Sequence, residues 1–204
     1  METRADIKSF LNYFVLNECQ MLKKIWKFLW YDDSVLSWIV SIILAFLIVK
    51  FIIYPGLGLV LGTGYPVVAV VSSSMHHESN FNEWYNKKGE WYNRYDYTKE
   101  QIKEWSFSNG FNKGDIMVLK GAKNIEIGDV IVFNGNSNNP IIHRVVFIGD
   151  NYYQTKGDNN MDSFQQLGET NIKKEQIIGK AVLRIPFLGY IKILFTDIIG
   201  GIVK

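Results

Sequence analysis

The run Val70-Val71-Ser72-Ser73-Ser74-Met75 carries a β-branched strand into three consecutive serines. A serine hydroxyl becomes a useful nucleophile only when a neighbouring base takes its proton, and neutral imidazole titrates near working pH. The chain has three histidines, His76, His77 and His143. A carboxylate on the far ring nitrogen of such a base fixes the tautomer and stabilises the imidazolium. Read alone, a serine-rich strand end is also an ordinary turn, and His143 on an alternating strand is also a half-buried core residue. Lys156 and Lys113 offer a different base, for Ser–Lys chemistry. His76, His77 and Glu78 suggest a metal, but only His143 remains as a further histidine, so neither metal nor cofactor is expected. Asp115 and Asp129, in Gly114-Asp115-Ile116 and Gly128-Asp129-Val130, read as turn formers feeding apolar strands.

These residues follow a membrane anchor. Val35 to Ile53 reads VLSWIVSIILAFLIVKFII, with Lys50 its only charge. At about 1.5 Å rise per residue the run approaches the thickness of a bilayer's hydrocarbon core. Trp30, Tyr31 and Tyr54 flank it as interfacial aromatics, and Pro55-Gly56 is expected to stop the helix. Arg4, Lys8, Lys23, Lys24 and Lys27 precede the span, and no Lys or Arg lies between Lys50 and Lys87. The expected localisation is the cell membrane, single-pass, with a cytoplasmic N-terminus and the rest outside. Residues 1–34 carry Phe10, Leu11, Phe14, Val15, Met21, Leu22, Trp26 and Leu29 at helical spacing, which predicts an amphipathic helix on the inner face.

Past the anchor, Val67–Ser72, Ile116–Leu119, Val130–Phe133, Ile142–Ile148, Tyr152–Thr155 and Ile178–Arg184 are short apolar runs between Gly, Asn and Asp. They predict a mostly β fold, a small antiparallel domain over residues 55–184, behind a transmembrane helix at 35–54. Residues 80–112 interrupt it as a surface insertion rich in Trp and Tyr, with a helix expected around Thr98–Trp105. Its aromatics either pack locally or dip into the lipid surface. Residues 185–204 read as a membrane-associated segment. A formal charge of only +2 argues against a nucleic-acid partner, and 48% apolar residues exclude a disordered chain. The single cysteine, Cys19, excludes an intramolecular disulfide.

The order of several boxes is more specific than any one of them. Ser74-Met75 is followed by Gly114-Asp115-Ile116-Met117-Val118 and Ile127-Gly128-Asp129-Val130-Ile131-Val132-Phe133. Then come Ile142-His143-Arg144-Val145, Thr155-Lys156-Gly157-Asp158-Asn159-Asn160, and Gly179-Lys180 with Pro186-Phe187-Leu188-Gly189. After one N-terminal span, this series resembles the type I signal peptidases, in the form found in archaea and in the catalytic subunit of the eukaryotic signal peptidase complex. The likeness covers most of residues 38–191.

The resemblance implies a signal-peptidase-like antiparallel β catalytic domain and a membrane-anchored serine endopeptidase. Such an enzyme cleaves signal peptides from secreted preproteins after small residues. Its partners would be preproteins, the lipid bilayer and the protein-translocation machinery. Ser74 matches the nucleophile and His143 the general base. Asp162 matches the relay carboxylate, and Asp158 an acidic residue supporting the site. The Ser74 amide and, by resemblance, the Ser72 hydroxyl would form the oxyanion hole, where removing one donor typically costs about 2.7–4 kcal/mol. The chain departs from the family pattern in the short Asp158–Asp162 spacing, in His76 after Met75, and in the long insertion. The alternative from another class is a membrane-tethered, non-catalytic β domain that binds extended peptides.

Overall fold

The computed structural model describes residues 20–190. The parts of the terminal readings at 1–19 and 191–204 lie outside the described residues. Two compact units divide at Pro55/Gly56.

In the first unit residues 20–31 are helical. The next helix starts at Val35 because Ser34 caps it, its hydroxyl accepting from Ser37 N at 3.2 Å. One continuous helix, Val35–Leu61, is long and apolar enough to cross a membrane, and its side chains are almost all exposed. This is consistent with a single-pass membrane protein. Pro55 does not stop it. A proline lacks the N–H for the helical ladder and crowds the preceding turn. The helix accommodates it by widening into a π-turn over Val49–Ile53 and continuing to Leu61. The chain turns away at Gly62, whose φ of 67° is one that glycine adopts without a Cβ penalty.

In the second unit six strands form one antiparallel sheet: β1 (Val67–Ala69), β2 (Ile116–Lys120), β3 (Val130–Phe133), β4 (Ile141–Ile148), β5 (Tyr153–Lys156) and β6 (Ile177–Ile185). Their order is β1-β2-β6-β3-β4-β5. β1 is shorter than its apolar run because Val70 leaves the ladder to bond Asp115 O and Gly114 N at the start of β2. Gly114 and Gly128, at φ of 90° and 92°, make the two turns the sequence repeats. In each turn the aspartate accepts an amide three residues back, from Asn112 to Asp115 and from Glu126 to Asp129. Each carboxylate then pairs with a basic residue of β6, Arg184 and Lys180 respectively.

β1 and β5 are the two edges of the sheet, and the turns that follow them touch. Asn159 N donates to Ser74 O at 2.8 Å, and Asn159 Nδ2 to Ser73 O at 3.3 Å. Flat strands at about 4.8 Å spacing would hold the two edges some 24 Å apart, so the sheet coils back on itself. Register shifts in the β2/β6, β3/β6 and β4/β5 pairs mark where the extra bending enters. β3 is buried on both faces. Val130 and Val132 join Val70, Met75, Phe111, Met117 and Leu119 in one core, and Ile131 and Phe133 join Val145 and Ile172 in another.

The chain is mixed, so a mostly β reading fits it only loosely: the long N-terminal helix and a largely helical insertion stand beside the six strands. Phe81–Asn93 and Lys99–Lys103 are helices capped by Asn80 and by a Thr98/Gln101 capping box. Phe81, Trp84, Trp91, Tyr92 and Ile102 pack into a third buried cluster with Val146 of β4. Of the two expected roles for these aromatics, local packing is the one found.

Lys156 of β5 is fully buried in this cluster, its ammonium over the rings of Trp91 and Tyr92 at 5.2 and 4.9 Å. Its hydrogen bond goes to the neutral carbonyl of Gly157. Burial disfavours the charged amine and lowers its pKa to about 8. Between that value and the unfolded lysine's, about 10.4, the unfolded chain holds more protons, so the cost is full below pH 8 and is relieved on alkalinisation. Lys156→Met should therefore raise the thermal midpoint at pH 7 by a stabilisation on the order of 1–3 kcal/mol, with the gain shrinking by pH 10. Calorimetry across pH checks this, and a destabilised variant would mean that the ring contacts outweigh burial.

Candidate active site

Side chains alternate across a strand, so His143 and Arg144 point to opposite faces of β4. His143 shares its face with Ile131 directly opposite, and Arg144 shares the other with Val130 and Lys156. Lys156, one of the two alternative bases, therefore lies on the face away from His143.

The first face carries the candidate nucleophile and base. Ser72, Ser74 and His143 line one cleft of about 410 Å³, with Val71, Ile142 and Phe164 among its apolar walls. Ser74 Oγ lies 3.0 Å from Ser72 Oγ. The peptide around it is pinned: Ser74 O accepts from Asn159, Met75 O from Phe111 N at 3.0 Å, and the Met75 side chain is buried in the core. The Ser74 amide donates to no protein group among the described residues. It is thus available to an oxyanion. A Cβ on Gly157 would lie 2.9 Å from His143 Nε2 and 2.7 Å from Asn160 Nδ2, so glycine is what leaves the imidazole its place.

The other imidazole nitrogen, Nδ1, bonds to Glu169 Oε1. Glu169 is fully buried and further held by Phe164 N at 2.8 Å on Oε2 and by the Thr155 hydroxyl at 3.4 Å. The chain reaches this position by a 3₁₀ turn at Gln165–Leu167, a left-handed Gly168 and a return antiparallel to β5, with Thr155 N on Glu169 O and a bridge between Tyr153 and Ile172. Sequence reasoning missed Glu169. It sits in a polar loop whose composition reads as solvent-exposed, and only the pairing of that loop with β5 turns its carboxylate inward.

Asp162, expected beside His143, lies elsewhere, and Asp158, expected to support the site, is on the other face of β4. Asp162 Oδ1 accepts from Trp91 Nε1 and from Ser163 N, both at 2.8 Å. The chain has by then left the turn and lies against the insertion. Asp158 is fully buried on the Arg144 face. Its Oδ1 accepts from Arg144 Nε at 2.8 Å and Tyr92 Oη at 3.2 Å, and its Oδ2 from Arg144 Nη2 at 2.6 Å and His77 Nε2 at 3.0 Å. Its backbone accepts from Trp84 Nε1 and donates to Met75 Sδ. Asp158 thus supports the serine turn from behind. His77 stacks on Trp84 with ring centroids 4.2 Å apart, while His76 Nδ1 meets Asn112 Oδ1.

Burial alone would raise the Asp158 pKa, but the charge and hydrogen bonds of Arg144, then those of His77, hold it well below the usual carboxylate range. No family model and no curated protein matches the sequence.

Two outcomes follow from this geometry. Because the folded pKa of Asp158 is depressed, its stabilisation is complete above about pH 4 and is lost as acid protonates it. Asp158→Asn, which leaves Arg144 buried without its counter-charge, should cost about 3–5 kcal/mol at pH 7 and flatten the acid limb of the stability–pH curve. A neutral effect at pH 7 would contradict this role. Gly157→Ala should shift the His143 imidazole resonances in NMR while the melting transition stays cooperative. Unmoved resonances would show that the methyl group is accommodated by Asn160 alone.

Proposed function

We propose that the chain is a membrane-anchored serine endopeptidase that removes N-terminal signal peptides from preproteins after small residues. The observation that carries this reading is that Ser74 and His143 line one cleft, with a buried carboxylate on the imidazole's Nδ1. That is the set of groups acyl transfer requires. The resemblance of its motif order to that of signal peptidases suggests the substrate class.

In this mechanism the substrate adds as an extended strand along the unpaired edge of β1, placing its scissile carbonyl over Ser74. Ser74 Oγ attacks as His143 Nε2 takes its proton. Glu169, in the role expected of Asp162, holds Nδ1–H and stabilises the imidazolium. The Ser74 amide receives the developing oxyanion, and the Ser72 hydroxyl turns from Ser74 Oγ to join it. His143 then protonates the leaving amine, and water repeats the cycle on the acyl-enzyme. The basic residues before Val35 support a cytoplasmic N-terminus with the catalytic unit outside, on the side where a translocated preprotein emerges.

The test is cleavage of a preprotein by the full chain in vesicles whose orientation is fixed by protease protection of the N-terminus. Ser74→Ala should abolish the shortened product without loss of folding. Glu169→Gln should lower the rate by up to about 10⁴-fold, because an amide favours the wrong tautomer, whereas Asp162→Asn should leave it near wild type. Binding of the preprotein without any cleavage would favour the non-catalytic alternative. A large loss in Asp162→Asn with none in Glu169→Gln would return the relay to the aspartate.

A further inference from the structure

A second cavity, of about 320 Å³, adjoins the same two turns. Its lining includes His76, Glu78, Trp84, Lys87, Lys88 and Asn159. The first cleft takes Ser74 and Asn160, and this one takes the residue two beyond the serine and the residue beside Asn160. The two differ in chemistry. Val71, Ile141, Ile142, Phe164 and Leu167 make the first largely apolar, whereas the second is walled by charged side chains from the insertion helix.

Its charges do not cancel. Lys87 is paired with Glu78 at 2.5 Å, and Glu83 is drawn to the helix cap by Ser79 and Asn80. Lys88 is half-buried and donates to the neutral carbonyl of Asn159 at 3.0 Å. Among the described residues it forms no ion pair, and Glu78, which feels its charge, is already bonded to Lys87.

We infer that this cavity receives the stretch of substrate that follows the scissile bond and selects an acidic side chain there through Lys88. The inference rests on the endopeptidase reading of Ser74. An extended peptide advances about 3.3 Å per residue, so a chain crossing Ser74 reaches a cavity two residues along within its next two or three positions. The apolar cleft suits the small, apolar residues before the cut, which leaves the charged cavity to the polar chain after it.

The experiment uses the full chain in detergent with synthetic peptides that share one apolar segment ending in small residues. The peptides carry Asp, Ala or Lys at the second and third positions after the cut. Fluorescence anisotropy on Ser74→Ala measures binding, and the Ser74 enzyme measures cleavage. The Asp peptide should bind about two- to fivefold tighter than the Ala peptide, the range of one partly exposed charge pair. The preference should vanish in Lys88→Gln and reverse in Lys88→Glu, and it should weaken with salt. Equal binding of all three peptides, or a preference unchanged in both Lys88 variants, would overturn the inference even if every peptide is cleaved. Charge-selective binding with no cleavage would leave the cavity's role standing and sink the peptidase reading. Failure of every peptide to bind would remove both.

Discussion

A carboxylate with four acceptor positions and a guanidinium with five donors are buried face to face in this molecule, and every one of those positions is filled. Asp158 takes two bonds from Arg144, one from Tyr92 and one from His77. Arg144 spends its remaining donors on the carbonyls of Ser106, Phe107 and Gly128. Such a pair is tolerable away from water only when its geometry is complete, since an orphaned buried charge costs several kcal/mol. The requirement pulls six separate stretches of chain to one point. They are β4, the turn after β5, the residues just past the serine, the helical insertion, its return loop and the turn into β3. The coil of the sheet, the closure of its two edges and the rigidity of the Ser74 turn all depend on that convergence.

Neighbouring residues of β4 divide the labour. Arg144 looks toward the structural network, and His143 looks toward the cleft, because a strand presents successive side chains to opposite faces. The face with the serine is left with few groups of its own. Its carboxylate must come from a strand's width away, and Glu169 arrives there on a segment that pairs with β5. Three further bonds to Glu169, from His143, Phe164 and Thr155, fix its direction. In the proposed relay role this is an advantage, since orientation of the imidazole is most of what such a carboxylate contributes.

The insertion also acquires a physical role. Trp84, Trp91 and Tyr92 each place a polar atom on the segment running from Asp158 to Asp162, while their ring bodies form a core of their own. Aromatic residues suit this double task, being apolar in bulk with one donor at the tip. A helix braced in this way presents Lys87 and Lys88 beside the serine turn with little freedom to move.

Much of this was legible in the chain itself. The span beginning at Val35, the six strands within a few residues of their ends, and the two Gly-Asp turns follow from hydropathy, alternation and the φ that glycine permits. Ser74 and His143 could be singled out because their boxes occur in a recognisable order. The proline at 55 misled, since a single backbone N–H lost is a local signal while a widened turn is a collective remedy. The carboxylate that faces His143 was not legible either. Asp158 and Asp162 stand in a motif and Glu169 in a plain loop, and nothing in the local sequence says which carboxylate faces which base. Direction in space depends on how the chain returns along β5 and on which face Arg144 has already claimed. Sequence determined the elements and singled out Ser74 and His143; only the tertiary structure decided the partner of His143, because buried charges settle where all their bonds can be made at once.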